Sequence, residues 1–144
     1  MTKIIFMAHS GWRWVALLAV VVAFGYGLWG WLGGKSWNPT GRKLAMFATI
    51  ALDIQLLLGL TLYALEKAWA SGLPTGVRFE HPTMMILALV AIHAMSVRVK
   101  RGSGDQARYR WLALGTLAAL VLVVVGISRL PGGAERLFTV GTSG

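Results

Sequence analysis

The sequence predicts an all-α integral membrane protein, a four-helix up-down bundle formed by a single transmembrane domain over residues 1–144. The first observation behind this prediction is composition: 56% of the residues are hydrophobic and only 13% are charged, whereas a soluble domain carries roughly 25% charged residues. The second is the presence of four long apolar segments. Three are close to the roughly 20 residues that cross a hydrocarbon core, and the first is longer, so we expect it to tilt or to extend beyond the bilayer. None of them alternates with the period of a membrane β-strand.

The four apolar segments predict helices over about residues 4–32, 43–66, 80–98 and 109–130. The first segment is about twice as long as the apolar core of a signal peptide and contains His9 and Arg13, so we expect it to be retained. The third is the shortest, and we expect it to gain length from residues 77–82. Residues 131–144 are glycine-rich and are predicted to form a loose tail.

The basic residues predict the orientation in the membrane. The loops between helices one and two and between helices three and four hold eight of them, and the opposite side holds five together with three glutamates. Because basic loops stay in the cytoplasm, both termini are predicted to face away from it. The net charge of +9 follows from this bias and from attraction to anionic lipid heads, so the expected partner is the lipid bilayer and not nucleic acid. The chain has no cysteine, which excludes disulfides, thiolate metal sites and covalent c-type haem attachment.

Ionisable and polar residues inside apolar helices are the functional candidates, because the bilayer makes them costly. They are His9, Arg13, Asp53, Gln55, Glu80, His81 and His93. His9 and Arg13 are four residues apart and share one helical face. Asp53 lies halfway along helix two, and a buried carboxylate needs a partner. Arg13 and Asp53 are therefore expected to form an ion pair that fixes the helix register, with a proton or quinone site as the alternative.

His9 and His81 are expected to lie at similar depth, because helices one and three begin on the same side of the bilayer. Two imidazoles on facing helices meet the requirement for axial ligation of one b-type haem. Arg13 would then pair with a haem propionate instead of Asp53. Two alternatives remain: both histidines are interfacial and hydrogen-bonded, or His9, Glu80 and His81 hold a non-haem metal ion. His93 lies roughly 18 Å along the helix from His81 and is expected to be only hydrogen-bonded.

Four motifs resemble those of a family of small bacterial four-helix membrane proteins that begin with His-Ser-Gly-x-Arg-Trp. The motifs are the runs HSGWRW at residues 9–14, DIQLLLGLTLY at 53–63, EHPTMM at 80–85 and SRLP at 128–131. In the family, histidine or another residue often stands where this chain has Asp53. Family members are often labelled cytochrome b-like or uncharacterised. The resemblance implies a location in the bacterial inner (cytoplasmic) membrane, where the distribution of basic residues predicts periplasmic termini. The label favours haem b.

The sequence therefore predicts a membrane-embedded, cytochrome b-like electron-transfer protein that holds one haem between helices one and three. Quinone or an external cytochrome would be its exchange partner, within a larger membrane redox complex or a homo-oligomer. A second haem would require another ligand, such as Met46 or Met95, or a neighbouring subunit. The alternative is a cofactor-free structural or assembly subunit of a larger respiratory or photosynthetic complex. A stand-alone enzyme is less favoured, since the sequence has no nucleophile–base pair, phosphate loop or zinc motif.

Overall fold

The computed structural model describes residues 1–70 and 72–139, and over these residues it confirms the all-α class, with no β-strand. Helix α1 spans Thr2–Leu32, α2 spans Pro39–Leu65, α3 spans His81–Arg101 and α4 spans Asp105–Ser128. A π-helical turn, Gly76–Glu80, runs directly into α3. A 3₁₀ turn, Gly133–Leu137, follows α4.

All four helices are long and apolar enough to cross a membrane. The third spanning segment runs over Gly76–Arg101, 26 residues, because the π-helical turn extends α3 at its start. This confirms the expected gain in length from the preceding residues. Helix α2 begins four residues earlier than predicted, since the Asn38 side chain caps it by accepting a 3.0 Å hydrogen bond from the Gly41 amide. Pro39 is suited to the first helical turn, where its missing N–H costs nothing.

The main helix contacts are those of α1 with α2 and α4 and those of α3 with α2 and α4, and α2 and α4 also touch across the bundle. Alanines occupy much of the core, and small side chains let apolar helices approach closely. The fully buried alanines include Ala23, Ala48, Ala88 and Ala119. Large apolar side chains such as Leu18, Leu57 and Val90 point outwards, as expected of surfaces that contact lipid. The up-down passage through the bilayer stays a prediction.

The end of the bundle that carries the α1–α2 and α3–α4 loops, called the loop end below, is tightly packed. A Cβ atom on Gly27 would lie 2.7 Å from the backbone nitrogen of Ala113, and one on Gly30 would overlap the Tyr109 ring. Tyr109 is fully buried, and its hydroxyl donates a 2.9 Å hydrogen bond to the Ser36 carbonyl. Helices α1 and α4 therefore meet here with no room for a further side chain.

The opposite end, called the terminal end below, is closed by the segment after α4. Arg13 Nη2 donates a 2.7 Å hydrogen bond to the Thr139 carbonyl, and Arg136 Nε donates a 2.6 Å hydrogen bond to the Pro131 carbonyl. The predicted loose tail is thus wrong for residues 131–139. The Arg13 hydrogen bond and the packing of Leu137 on the hydrophobic core fasten the segment to the bundle, and the Arg136 hydrogen bond folds the segment on itself. Residues 140–144 of the predicted tail lie outside the described part of the chain.

Candidate functional site

A cavity of about 450 Å³ lies among all four helices at the terminal end. This volume is within the range of roughly 300–1,000 Å³ that is usual for ligand pockets. Most of the lining side chains are apolar, contributed by every helix. A smaller set of polar side chains faces the same space: His9, Ser10, Arg13, Gln55, Tyr63, Glu66, His81, Arg136 and Thr139. The cavity therefore combines apolar walls with a few placed polar groups, which is the usual composition of a cofactor site.

The structure brings His9 of α1 and His81 of α3 together in this cavity. Their ring centroids are 6.4 Å apart, and their ring planes cross at 87°. Two metal–nitrogen bonds of about 2 Å each, added to the radii of two imidazole rings, give a centroid separation of roughly 6 Å. The observed separation thus leaves room for one metal ion between the two rings.

His81 is oriented by α4. Its Nδ1 lies 3.1 Å from the Gly126 carbonyl oxygen. Because a carbonyl oxygen only accepts, the ring hydrogen is on Nδ1, and the Nε2 lone pair stays available. A Cβ on Gly126 would come within 2.9 Å of the Met84 Cβ, so glycine allows this close approach of α3 and α4. A backbone carbonyl that holds Nδ1–H is the usual support of a metal-ligating histidine.

His9 is oriented by α2. The Gln55 amide nitrogen donates a 3.0 Å hydrogen bond to the His9 carbonyl and lies 3.3 Å from His9 Nδ1. The His9 ring packs against Gly59, where a Cβ would lie 2.9 Å from its Cε1. Gln55 Oε1 is buried and has no hydrogen-bond partner among the described residues. Gln55 thus holds both the backbone and the ring edge of His9 from α2.

Two guanidinium groups, those of Arg13 and Arg136, line the same cavity. Arg13 is held by Thr139 through Nη2, and its Nε is buried without a partner among the described residues. An unpaired buried donor is costly, and a carboxylate brought by a ligand would satisfy it through a charge-assisted hydrogen bond. The residues present therefore fit a flat apolar cofactor that carries carboxylates and needs two imidazole ligands.

The predicted ion pair between Arg13 and Asp53 is wrong. Asp53 Oδ1 lies 2.7 Å from His93 Nε2 on the outer surface between α2 and α3. Both side chains were expected to be buried, yet 41% of the Asp53 side chain and 52% of the His93 side chain are exposed. Asp53 is two residues from Gln55, about 200° around the helix, so Gln55 faces the cavity and Asp53 faces α3. His93 is hydrogen-bonded, as expected, and lies outside the cavity lining.

Glu80 also points away from the histidines. Its carboxylate accepts a 3.1 Å hydrogen bond from the Thr75 hydroxyl and lies 3.7 Å from Arg129 Nε. Over residues 1–70 and 72–139, no group of three or more His, Cys, Asp or Glu side chains is placed to hold a metal ion. The non-haem alternative with His9, Glu80 and His81 as ligands therefore finds no support, and the two histidines remain as a pair.

Four residues of the site, Gly59, Gly126, Arg136 and Thr139, were not predicted from the sequence. The sequence could have placed Gly59 in the site, because it lies four residues after Gln55 and so shares its helical face. The sequence could not have placed Arg136 and Thr139 there, since they belong to a segment in which apolar residues do not recur with a helical period.

Comparisons with models of known protein families, with curated proteins and with solved structures return no match. The family resemblance carried by the four motifs therefore stays a prediction. The function has to be inferred from the geometry of the cavity.

Proposed function

We propose that this chain is a membrane haem protein of the b type, in which His9 and His81 supply the two axial nitrogens for one haem. The observation that carries the proposal is the pair of imidazoles, 6.4 Å apart, inside an apolar cavity of about 450 Å³. A haem bound there would supply reversible one-electron chemistry. Because His9 and His81 would hold the haem iron from both sides, electron transfer is favoured over reactions that need an open coordination position.

The chain's own residues orient the cofactor and shield it. Gly126 and Gln55 fix the two imidazole rings from the helices behind them. Arg13 and Arg136 offer positive charge to the cofactor's carboxylates at the terminal end. The apolar walls exclude water, which strengthens each of these electrostatic contacts.

The proposal includes a location in the bacterial inner membrane with both termini in the periplasm. It is supported by the eight basic residues at the loop end against five at the terminal end. The cavity would then lie near the periplasmic face, within reach of quinone in the bilayer or of an external cytochrome. A larger membrane redox complex or a second copy of the chain would provide the route for electrons.

The absorption spectra of the purified protein and three histidine variants test the proposal, with haem supplied during expression. We expect a Soret band and a sharp reduced α-band for the wild type. His9→Ala and His81→Ala should each abolish this low-spin spectrum or convert it to high spin, because each removes one axial nitrogen. His93→Ala is the matched control and should leave the spectrum unchanged, since His93 bonds Asp53 outside the cavity.

Two results would contradict the proposal. One is a loss of the spectrum in His93→Ala as large as in His9→Ala, with circular dichroism showing that all variants are folded. The other is a wild-type protein that binds no haem and has a flat visible spectrum. The cofactor-free assembly subunit would then be the better hypothesis.

A further inference from the structure

A second concavity, called the α2–α3 groove below, lies between these helices at the loop end and has a volume of about 340 Å³. Three cationic side chains line it: Arg42 and Lys43 from the first turn of α2, and Lys100 from the last turn of α3. All three are exposed, and no acidic residue is among the described residues that line the groove. Its mouth is therefore strongly positive.

Below its cations, the α2–α3 groove has a polar wall on α3 and an apolar wall on α2. Ser96 lies about one helical turn below Lys100, and His93 lies roughly 10 Å below it. Met46 and Ile50 of α2 are exposed apolar side chains in the same lining. The carboxylate of Asp53 is bonded to His93 at the deep end, roughly 15 Å along α2 from Lys43. Below the cations at its mouth, the groove thus offers hydroxyl and imidazole groups from α3 and, at similar depth, an apolar surface from α2.

We propose that the α2–α3 groove binds one anionic phospholipid from the leaflet at the loop end. Its phosphate contacts Arg42, Lys43 and Lys100, its glycerol ester region reaches Ser96 and His93, and an acyl chain lies on Met46 and Ile50. The apolar side chains beside the cations favour a phospholipid over a hydrated small anion, which would gain nothing from contact with Met46 and Ile50. Basic pockets between transmembrane helices are known to hold anionic lipid headgroups. The site is separate from the haem cavity and does not depend on the proposed function.

Native mass spectrometry of the full-length protein, stripped of lipid in a neutral detergent, provides the test. The protein is titrated with phosphatidylglycerol, phosphatidylcholine or glycerol phosphate. We expect one phosphatidylglycerol to bind about ten-fold more tightly than phosphatidylcholine, because each basic residue near the surface favours an anionic head. Glycerol phosphate should bind far more weakly, since it has no acyl chain.

Two triple variants distinguish a specific lipid site from nonspecific electrostatic attraction to the positively charged protein. Arg42→Gln, Lys43→Gln and Lys100→Gln together should lower the affinity for phosphatidylglycerol about ten-fold or more. The control triple variant, Lys35→Gln, Arg101→Gln and Arg110→Gln, removes the same charge from residues outside the groove lining and should keep the affinity. An equal loss in both would overturn the proposal, because the lipid would then respond to net charge alone.

A third variant, Ser96→Trp, fills the groove while it keeps all three cations, and we expect it to lose the bound lipid. Retention of wild-type affinity by a folded Ser96→Trp protein would overturn the proposal. Three other results would also overturn the proposal. They are an affinity for phosphatidylcholine equal to that for phosphatidylglycerol, an affinity for glycerol phosphate equal to it, and displacement of phosphatidylglycerol by an equimolar quinone. If Ser96→Trp does not fold, the two triple variants still decide the question.

Discussion

At the scale of single residues, Asp53 and Gln55 determine which polar side chains of the bundle meet. Gln55 is buried and bonds His9 across the α1–α2 contact. Asp53, two positions earlier, bonds His93 across the α2–α3 contact. A difference of two residues turns a side chain about 200° around a helix, so one residue serves the cavity and the other serves the lipid-facing surface.

The pair formed by Asp53 and His93 should contribute to stability as a coupled unit. Asp53→Ala and His93→Ala each leave a polar group facing hydrocarbon, so each should lower the free energy of unfolding. The double variant should lose less than the sum, by the roughly 0.6–1.7 kcal/mol measured for polar pairs in membranes. Unfolding of the detergent-solubilised protein by a denaturing detergent measures these values. Asp105→Ala combined with His93→Ala is the control and should be additive, and additivity for Asp53 as well would disprove the coupling.

At the scale of the helices, α1 and α4 approach closely through glycine. Gly27 lies against the backbone of Ala113, and Gly30 lies against the ring of Tyr109. Gly25, in the same helix, faces open space, because a Cβ atom added there would have no neighbouring atom within 4 Å. The small residue is thus required by packing at positions 27 and 30 and not at position 25.

Gly27→Leu and Gly25→Leu form a matched pair that tests this packing. Leucine at position 27 would meet the Ala113 backbone and push α1 away from α4, so we expect a loss of about 1–3 kcal/mol in the free energy of unfolding. Leucine at position 25 enters open space and gains helix propensity, so stability should be unchanged or higher. Thermal unfolding followed by circular dichroism compares them. Equal stability of the two variants would contradict the observed α1–α4 contact.

The sequence determined depth along the helices better than rotation about them. The similar depth of His9 and His81 follows from hydropathy and chain direction, because helix rise is fixed at about 1.5 Å per residue. The partner of Asp53 did not follow, since it depends on the angular position of α2 relative to α3, and the apolar faces of membrane helices do not report it. The contact of Arg13 with Thr139 was also out of reach, because it involves a segment without helical periodicity.

At the scale of the whole molecule, the two ends of the bundle differ in packing. At the loop end, Tyr26 donates a hydrogen bond to the Asn38 side chain, and the rings of Trp37 and Tyr109 pack with their centroids 4.9 Å apart. At the terminal end the helices enclose the cavity of about 450 Å³. The tight end holds the helices in register, and the open end leaves space for a cofactor between His9 and His81.

The central claim is that His9 and His81 together ligate one haem, and low-temperature electron paramagnetic resonance of the ferric, haem-loaded protein tests it most directly. Two axial imidazoles whose planes are nearly perpendicular give a strongly anisotropic low-spin signal, and the ring planes here cross at 87°. We predict that signal for the wild type and for His93→Ala, and its loss in His9→Ala and in His81→Ala. A dominant high-spin signal in the wild type, or a low-spin signal that persists in His9→Ala and in His81→Ala, would contradict the account.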